Sequence, residues 1–172
     1  VDPGCGQSLC SCSFGAEMIQ AFGTEEQKKS YLPRIVSGDA IIGTAVTEPD
    51  AGSDVTMVKT RAERHGDRYI INGSKMFITN GCLAHHLLVY AITAPEEKKV
   101  HNRASIFLVD TNTPGFEATK IHGKMGIRAS NTAEVSLSNV EVPVDNIVGR
   151  EGRGFYQLMD FFNMTRNHVA AQ

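Results

Sequence analysis

At Ile41 the spacing of apolar residues changes from helical to alternate positions, and this switch limits the fold more than any other feature of the chain. The segments "AIIGTAV", "MVKTRAE", "RYIING", "SKMFIT", "HLLVYAIT", "ASIFLVD", "FEATKI" and "AEVSLSNVEVP" are short, rich in β-formers and separated by turn residues. "RHGDR" reads as a hairpin loop, and Asn72-Gly73 carries the residues of a type I′ turn. Together they predict a mostly antiparallel two-sheet sandwich or barrel over residues 40–150, flanked by α-helices. With 172 residues, 41% of them hydrophobic, the chain can bury a substantial core.

The flanks keep the helical period. Phe14, Met18, Ile19 and Phe22 share one face of a helix that Gly23 ends. Thr24 is a good N-cap, Gln27 completes a capping box, and Glu25 and Glu26 suit the first-turn dipole. Pro33 interrupts this pattern, which predicts a bend there and an end near Gly38. After "GREGRGF", Phe155, Leu158, Met159 and Phe162 again have helical spacing, with no stop signal before Gln172. The expected organisation is therefore a helical segment at 1–39, a β domain at 40–150 and the beginning of a second helical domain at 151–172. The abrupt start and the unfinished last helix read as those of a fragment.

A net charge of −2 gives no electrostatic case for nucleic acid, and no apolar run is long enough for a membrane span. Cys5, Cys10, Cys12 and Cys82 match no common zinc spacing, and the adjacent His85 and His86 would point to opposite faces of a strand. No metal site is expected, and the thiols read as reduced. The sequon at Asn72 reads as part of the turn, and the one at Asn163 falls in a helical pattern.

Three stretches could carry chemistry. In "TEPDAGSD", residues 47–54, a strand ends at a proline and Ala51-Gly52-Ser53 leaves backbone amides open to a phosphate. A surface turn with local Asx hydrogen bonds accounts for the same residues more simply. Glu48, Asp50 and Asp54 would repel an anion at short range, so a phosphate there requires them to face away or be paired. In "SKMFITNG", strict alternation puts Phe77 and Thr79 on one face and Met76 and Ile78 on the other. An aromatic ring beside a hydroxyl could flank a flat heterocycle, though a half-buried strand explains these residues equally. "GKMGIRAS", residues 123–130, is a basic Gly-rich loop or an ordinary crossing between strands.

In this order, "GAEMIQAFGTEEQKKSYLPRIVSGD", "AVTEPDAGSD", "YIINGSKMFITNG", "TPGFEATKIHGKMGIRASNTAEVSLSNVEVPVDNIVG" and "GFYQLMDFFNMTRNHVAAQ" resemble the acyl-CoA dehydrogenase family along nearly the whole chain. The resemblance implies a three-domain α–β–α enzyme, assembled as a homotetramer or dimer, with FAD extended against the β domain. It places Val46 and Thr47 at the pyrimidine edge of the flavin ring and Gly52 and Ser53 by the pyrophosphate and ribityl side. Phe77 would stack near the ring, Thr79 would bond the nitrogen that accepts hydride, and Thr44 and Ile78 complete the cofactor set. Ser53, Asn163 and Arg166 match positions that meet the CoA moiety.

The implied reaction is α,β-dehydrogenation of an acyl-CoA to a trans-2-enoyl-CoA. A carboxylate takes the α proton, hydride leaves to the flavin, and an electron-transfer flavoprotein is the onward acceptor. The resemblance also implies residence in the cytoplasm, or in the mitochondrial matrix of a eukaryote. Several positions depart from the family pattern. Phe77 stands where Trp is commonest, Met57 where a small residue is preferred, and Asn163 where Asp is more frequent. Thr165 occupies the position that holds the catalytic glutamate in a minority of members, so no base is assigned here and one is expected beyond Gln172. On this reading the 172 residues alone are inactive and hold FAD weakly. An acyl-CoA oxidase using O₂, a dehydrogenase of cyclic acyl-CoAs and a non-catalytic scaffold member share the same motifs.

Overall fold

A computed structural model of the chain describes residues 3–170. The outer limits expected at residues 1 and 172 lie outside the described residues. Helices α1 (Pro3–Cys10), α2 (Ala16–Phe22) and α3 (Glu25–Val36) precede the strands, and α4 (Gly154–Ala170) follows them. The capping box at Thr24 forms as expected: Thr24 Oγ1 accepts from Gln27 N, and Gln27 Oε1 accepts from Thr24 N. The amide of Gln27 also donates to the carbonyls of Asp145 at 2.8 Å and Ile147 at 3.0 Å, tying the start of α3 to the far end of the β domain. Gly23 ends α2 as its spacing predicts. Helix α3 runs through Pro33 to Val36.

The strands are β1 (Ile42–Ala45), β2 (Arg61–His65), β3 (Arg68–Thr79), β4 (His86–Ile92), β5 (Ala104–Asp110), β6 (Phe116–Lys120) and β7 (Thr132–Pro143). They form one seven-stranded hydrogen-bonded network in the order β1-β4-β2-β3-β7-β6, with β5 on the other edge of β4. Its two halves, β1-β4-β5 and β2-β3-β7-β6, meet edge to edge only at the parallel pair Arg61–Ile92. Most pairings are antiparallel, and β1 runs parallel to β4.

The burial pattern explains this layering. Strands β4 and β5 read as continuous apolar runs because both of their faces are covered. One face, with Leu88, Tyr90, Ile106 and Leu108, packs on Met18, Ile19, Leu158 and Phe161 of the helices. The other, with Leu87, Val89, Phe107 and Val109, packs on Tyr69, Ile71, Val135, Leu137 and Val142 of β3 and β7. Strand β7 alternates in and out, as a sheet with one wet face should, except at Ser138 and Asn139, which are both exposed where Asn139 takes φ 52 and the register with β3 shifts. Phe14 meets Phe161 edge-on with ring centroids 5.0 Å apart, joining the first helical segment to α4.

Two local expectations are corrected. Asn72-Gly73 is not a turn but lies inside the twelve-residue strand β3. Gly73 has φ 153, and a Cβ there would fall 2.7 Å from Thr60 Cα, so the glycine serves close approach of two segments rather than chain reversal. The reversal between β2 and β3 occurs at Gly66-Asp67, within "RHGDR". The strict alternation expected across residues 76–79 also fails. The register with β7 shifts between Lys75 and Ile78, Phe77 takes φ 61, and Lys75 and Ile78 are both buried although three residues apart.

Candidate functional site

The two stretches singled out by sequence lie side by side. Met76 N donates to Thr47 O at 2.8 Å, which fastens the "SKMFIT" edge to the first residue of "TEPDAGSD". Glu48 and Ala51 exchange backbone hydrogen bonds at 2.9 and 3.2 Å, closing a tight turn with Pro49 and Asp50 at its tip. Gly52 and Ser53 follow on the surface, with no atom within 4 Å of where a Cβ on Gly52 would stand. Backbone there is open to a ligand.

The carboxylates that make this stretch acidic are all engaged. Asp54 accepts from Thr56 N at 3.0 Å and Thr56 Oγ1 at 2.6 Å, and caps the 3₁₀ turn Val55–Met57. Asp50 pairs with Lys59 at 2.8 Å on the surface. Glu48 is buried. Its Oε1 accepts from Lys75 Nζ at 2.9 Å, Thr60 Oγ1 at 2.6 Å and Thr60 N at 3.0 Å, and its Oε2 accepts from Lys59 N at 2.6 Å. Burial pushes the Glu48 carboxyl up, but the Lys75 charge and these hydrogen bonds outweigh it and hold it below the usual range. Burial pushes Lys75 down to about 8, with Glu48 offsetting only part of the loss. None of the three carboxylates is left as a free charge facing the open backbone.

The remaining residues form a rim. Thr47 and Thr79 are half-buried, and neither hydroxyl, nor that of exposed Ser53, has a partner among the described residues. Phe77 is 64% exposed and held at a positive φ, a conformation that costs a non-glycine residue about 1–3 kcal/mol. An exposed aromatic ring at a fixed backbone position offers a face on which a flat partner can stack. Asn80, buried at φ 62, fixes the corner behind Thr79: its side chain donates to Ser11 O at 2.9 Å and its N–H to Asn131 O at 3.0 Å. Val46 is buried, Ile78 is 2% exposed, and Thr44 Oγ1 donates to Phe14 O at 3.2 Å. Val46 belongs to the core on the helix side and Ile78 to the core against β3 and β7, so the three do not share one surface.

Asn163 and Arg166 are exposed on α4, and Thr165 is buried with its hydroxyl donating to Phe161 O at 2.9 Å. A cavity of about 550 Å³ between α3 and residues 144–151 lies away from the rim. A second of about 330 Å³ lies under the basic loop at Lys120, His122 and Arg128. Among the described residues no cluster of His, Cys, Asp or Glu could hold a metal, and no helix is long and apolar enough to cross a membrane.

The sequence required Glu48 to face away or be paired, but Lys75 was not foreseen as its partner. The available signal was two opposite charges, one in each of the candidate stretches.

The family model for the acyl-CoA dehydrogenase middle domain matches residues 43–140, and that for the N-terminal domain matches residues 1–39. The chain belongs to the acyl-CoA dehydrogenase family, whose members are flavoproteins. It is 43% identical over 160 residues to an acyl-CoA dehydrogenase of Bacillus subtilis, covering 93% of this chain and 42% of that one. Butyryl-CoA dehydrogenase from Megasphaera elsdenii superposes with a TM-score of 0.92 at 38% identity, over 99% of this chain and 44% of its own. A glutaryl-CoA dehydrogenase from Mycobacterium smegmatis, solved in complex with FADH2, gives 0.81 at 41% identity over 90% of this chain and 38% of its own. The chain thus spans about two fifths of the length of these relatives.

Proposed function

We propose that this chain is the flavin-binding middle portion of an acyl-CoA dehydrogenase that converts acyl-CoA thioesters to trans-2-enoyl-CoA. It comprises the end of an N-terminal helical domain (1–39), the β domain (40–150) and the start of a C-terminal helical domain (151–172). The observation that carries the reading is the rim: two hydroxyls, Thr47 and Thr79, without a partner among the described residues, beside an exposed, strained Phe77.

These residues fit FAD. Thr47 and Thr79 supply donors for the polar edges of the ring, and Phe77 covers an apolar face. The open backbone at Gly52 and Ser53 receives the pyrophosphate and ribityl portion, away from Glu48, Asp50 and Asp54, which are already engaged. Thr44 and Val46 lead into Thr47 and Ile78 into Thr79, and Val46 and Ile78, 7% and 2% exposed, meet a ligand only through their backbone. Bound FAD supplies the hydride acceptor. Ser53, Asn163 and Arg166, all exposed, meet the CoA moiety. The base is not assigned to this chain, because Thr165 carries no carboxylate. In the whole protein the partners are the acyl-CoA, an electron-transfer flavoprotein as acceptor, and further copies of the chain in a dimer or tetramer.

The test uses the full-length protein. It should purify with one FAD per chain and lose its yellow colour when an acyl-CoA is added without oxygen. A protein that takes up no flavin refutes the proposal.

A further inference from the structure

Lys75 and Glu48 form the one ion pair among those described in which both side chains are buried, at 0% and 5% exposure. The geometry around them is more specific than charge neutralisation requires. Lys75 Nζ donates to Val46 O at 3.0 Å and to Glu48 Oε1 at 2.9 Å, so one ammonium grips the residues on either side of Thr47. The same lysine lies two residues before Phe77, at the start of the register shift that turns Phe77 outward. Glu48 in turn holds Thr60 and Lys59, and Thr60 packs against Gly73 of β3. Tyr90 closes the pocket with its ring centroid 6.0 Å from Nζ. Buried ion pairs give little net stability over apolar replacements of the same shape, and in some proteins their use is to fix one arrangement of the segments they join.

We infer that the Lys75–Glu48 pair, with Thr60, is the positioning device of the flavin rim: it sets the separation of Thr47 from Phe77 and Thr79. None of the three touches the flavin in this account. They act by holding the two segments that do, and the inference rests on the flavin reading proposed above.

The experiment compares Lys75→Met, the double variant Glu48→Gln/Lys75→Met and the milder Thr60→Val in the full-length protein. Two quantities are read for each: melting temperature without flavin, and FAD affinity by titration into the flavin-free protein. Lys75→Met strands a buried carboxylate and should lower both. The double variant removes both charges, so a purely structural role predicts that melting temperature and FAD affinity recover together. Positioning predicts that the melting temperature recovers while FAD affinity stays at least about tenfold below wild type, since small displacements of binding groups are costly. Thr60→Val keeps the side-chain shape but removes the hydroxyl that donates to Glu48, so it should melt several degrees below wild type and, titrated well below its own melting temperature, bind FAD more weakly; it decides the matter if the other two do not fold. FAD affinity within twofold of wild type in any folded variant overturns the inference while leaving the flavin reading intact. A wild-type protein that binds no FAD removes both.

Discussion

Replacing Gly73 with alanine tests the packing of the rim at its tightest point. A Cβ on Gly73 falls 2.4 Å from Thr60 Oγ1 and 2.7 Å from both Thr60 Cβ and Cα, on backbone with φ 153. Rotating the Thr60 side chain relieves the first clash, but the one with the Thr60 backbone yields only if β3 and residue 60 move apart. Overpacking of this kind costs about 1–3 kcal/mol, and the positive φ adds about 1–3 kcal/mol. A loss of about 3 kcal/mol lowers the melting temperature by roughly 6–12 °C where 150–250 residues unfold together, and by less where the longer full-length protein unfolds as one unit. Gly66→Ala is the control: φ is 65 and nothing lies within 4 Å, so only the left-handed penalty of about 1 kcal/mol applies. Thermal unfolding of the ligand-free, full-length protein by circular dichroism reads both. Thr60→Ala combined with Gly73→Ala should not restore stability, because the backbone of residue 60 remains in place. Equal losses from Gly73→Ala and Gly66→Ala would show that β3 and residue 60 do not pack together as described.

Phe77→Gly relieves a φ of 61 at an exposed position and should raise stability by about 1 kcal/mol while weakening FAD binding. Unfolding midpoints and FAD titration on the same sample read the two effects, and a variant no more stable than wild type contradicts the strain argument. Gly52→Ala meets no atom within 4 Å and should change stability by no more than about 0.5 kcal/mol, yet weaken FAD binding by crowding the backbone offered to the pyrophosphate. The same titration checks it; unchanged affinity would place the pyrophosphate elsewhere. Glu48 has a lowered pKa when folded, so its stabilisation is fully present above the ordinary value of 4.5 and is lost as pH falls through the folded pKa. Urea unfolding of wild type against Glu48→Gln from pH 7 downward should show a constant gap above about 4.5 that closes in acid; a gap that widens on acidification reverses the sign.

Much of this was legible because local chemistry and global packing agree. The Thr24–Gln27 box is an interaction within one turn, and it forms as its spacing requires. The alternation of β7 holds on either side of Ser138 and Asn139 because only one of its faces is covered. Two readings failed for a common reason: they treated "NG" and "KMFIT" as local patterns. Gly73 is small because Thr60, thirteen positions earlier, presses on it, and Phe77 points outward because the register with β7 shifts. Neither cause lies within the window a periodicity uses. The three carboxylates of "TEPDAGSD" looked like a difficulty for a phosphate, and the fold resolves it by giving each a partner. That Glu48 and Lys75 turn inward together depends on tertiary burial, which composition and spacing do not encode.

In the proposed function the hydroxyls of Thr47 and Thr79 and the ring of Phe77 face the flavin. The most direct measurement is FAD titration into the flavin-free full-length protein carrying Thr47→Val and Thr79→Val together. Both side chains keep their shape, and neither hydroxyl has a protein partner among the described residues, so the melting temperature without flavin should stay at the wild-type value. Each lost hydrogen bond is worth about 0.5–1.5 kcal/mol, so FAD affinity should fall by about fivefold to a hundredfold for the pair. An affinity within twofold of wild type, with the fold intact, contradicts the account.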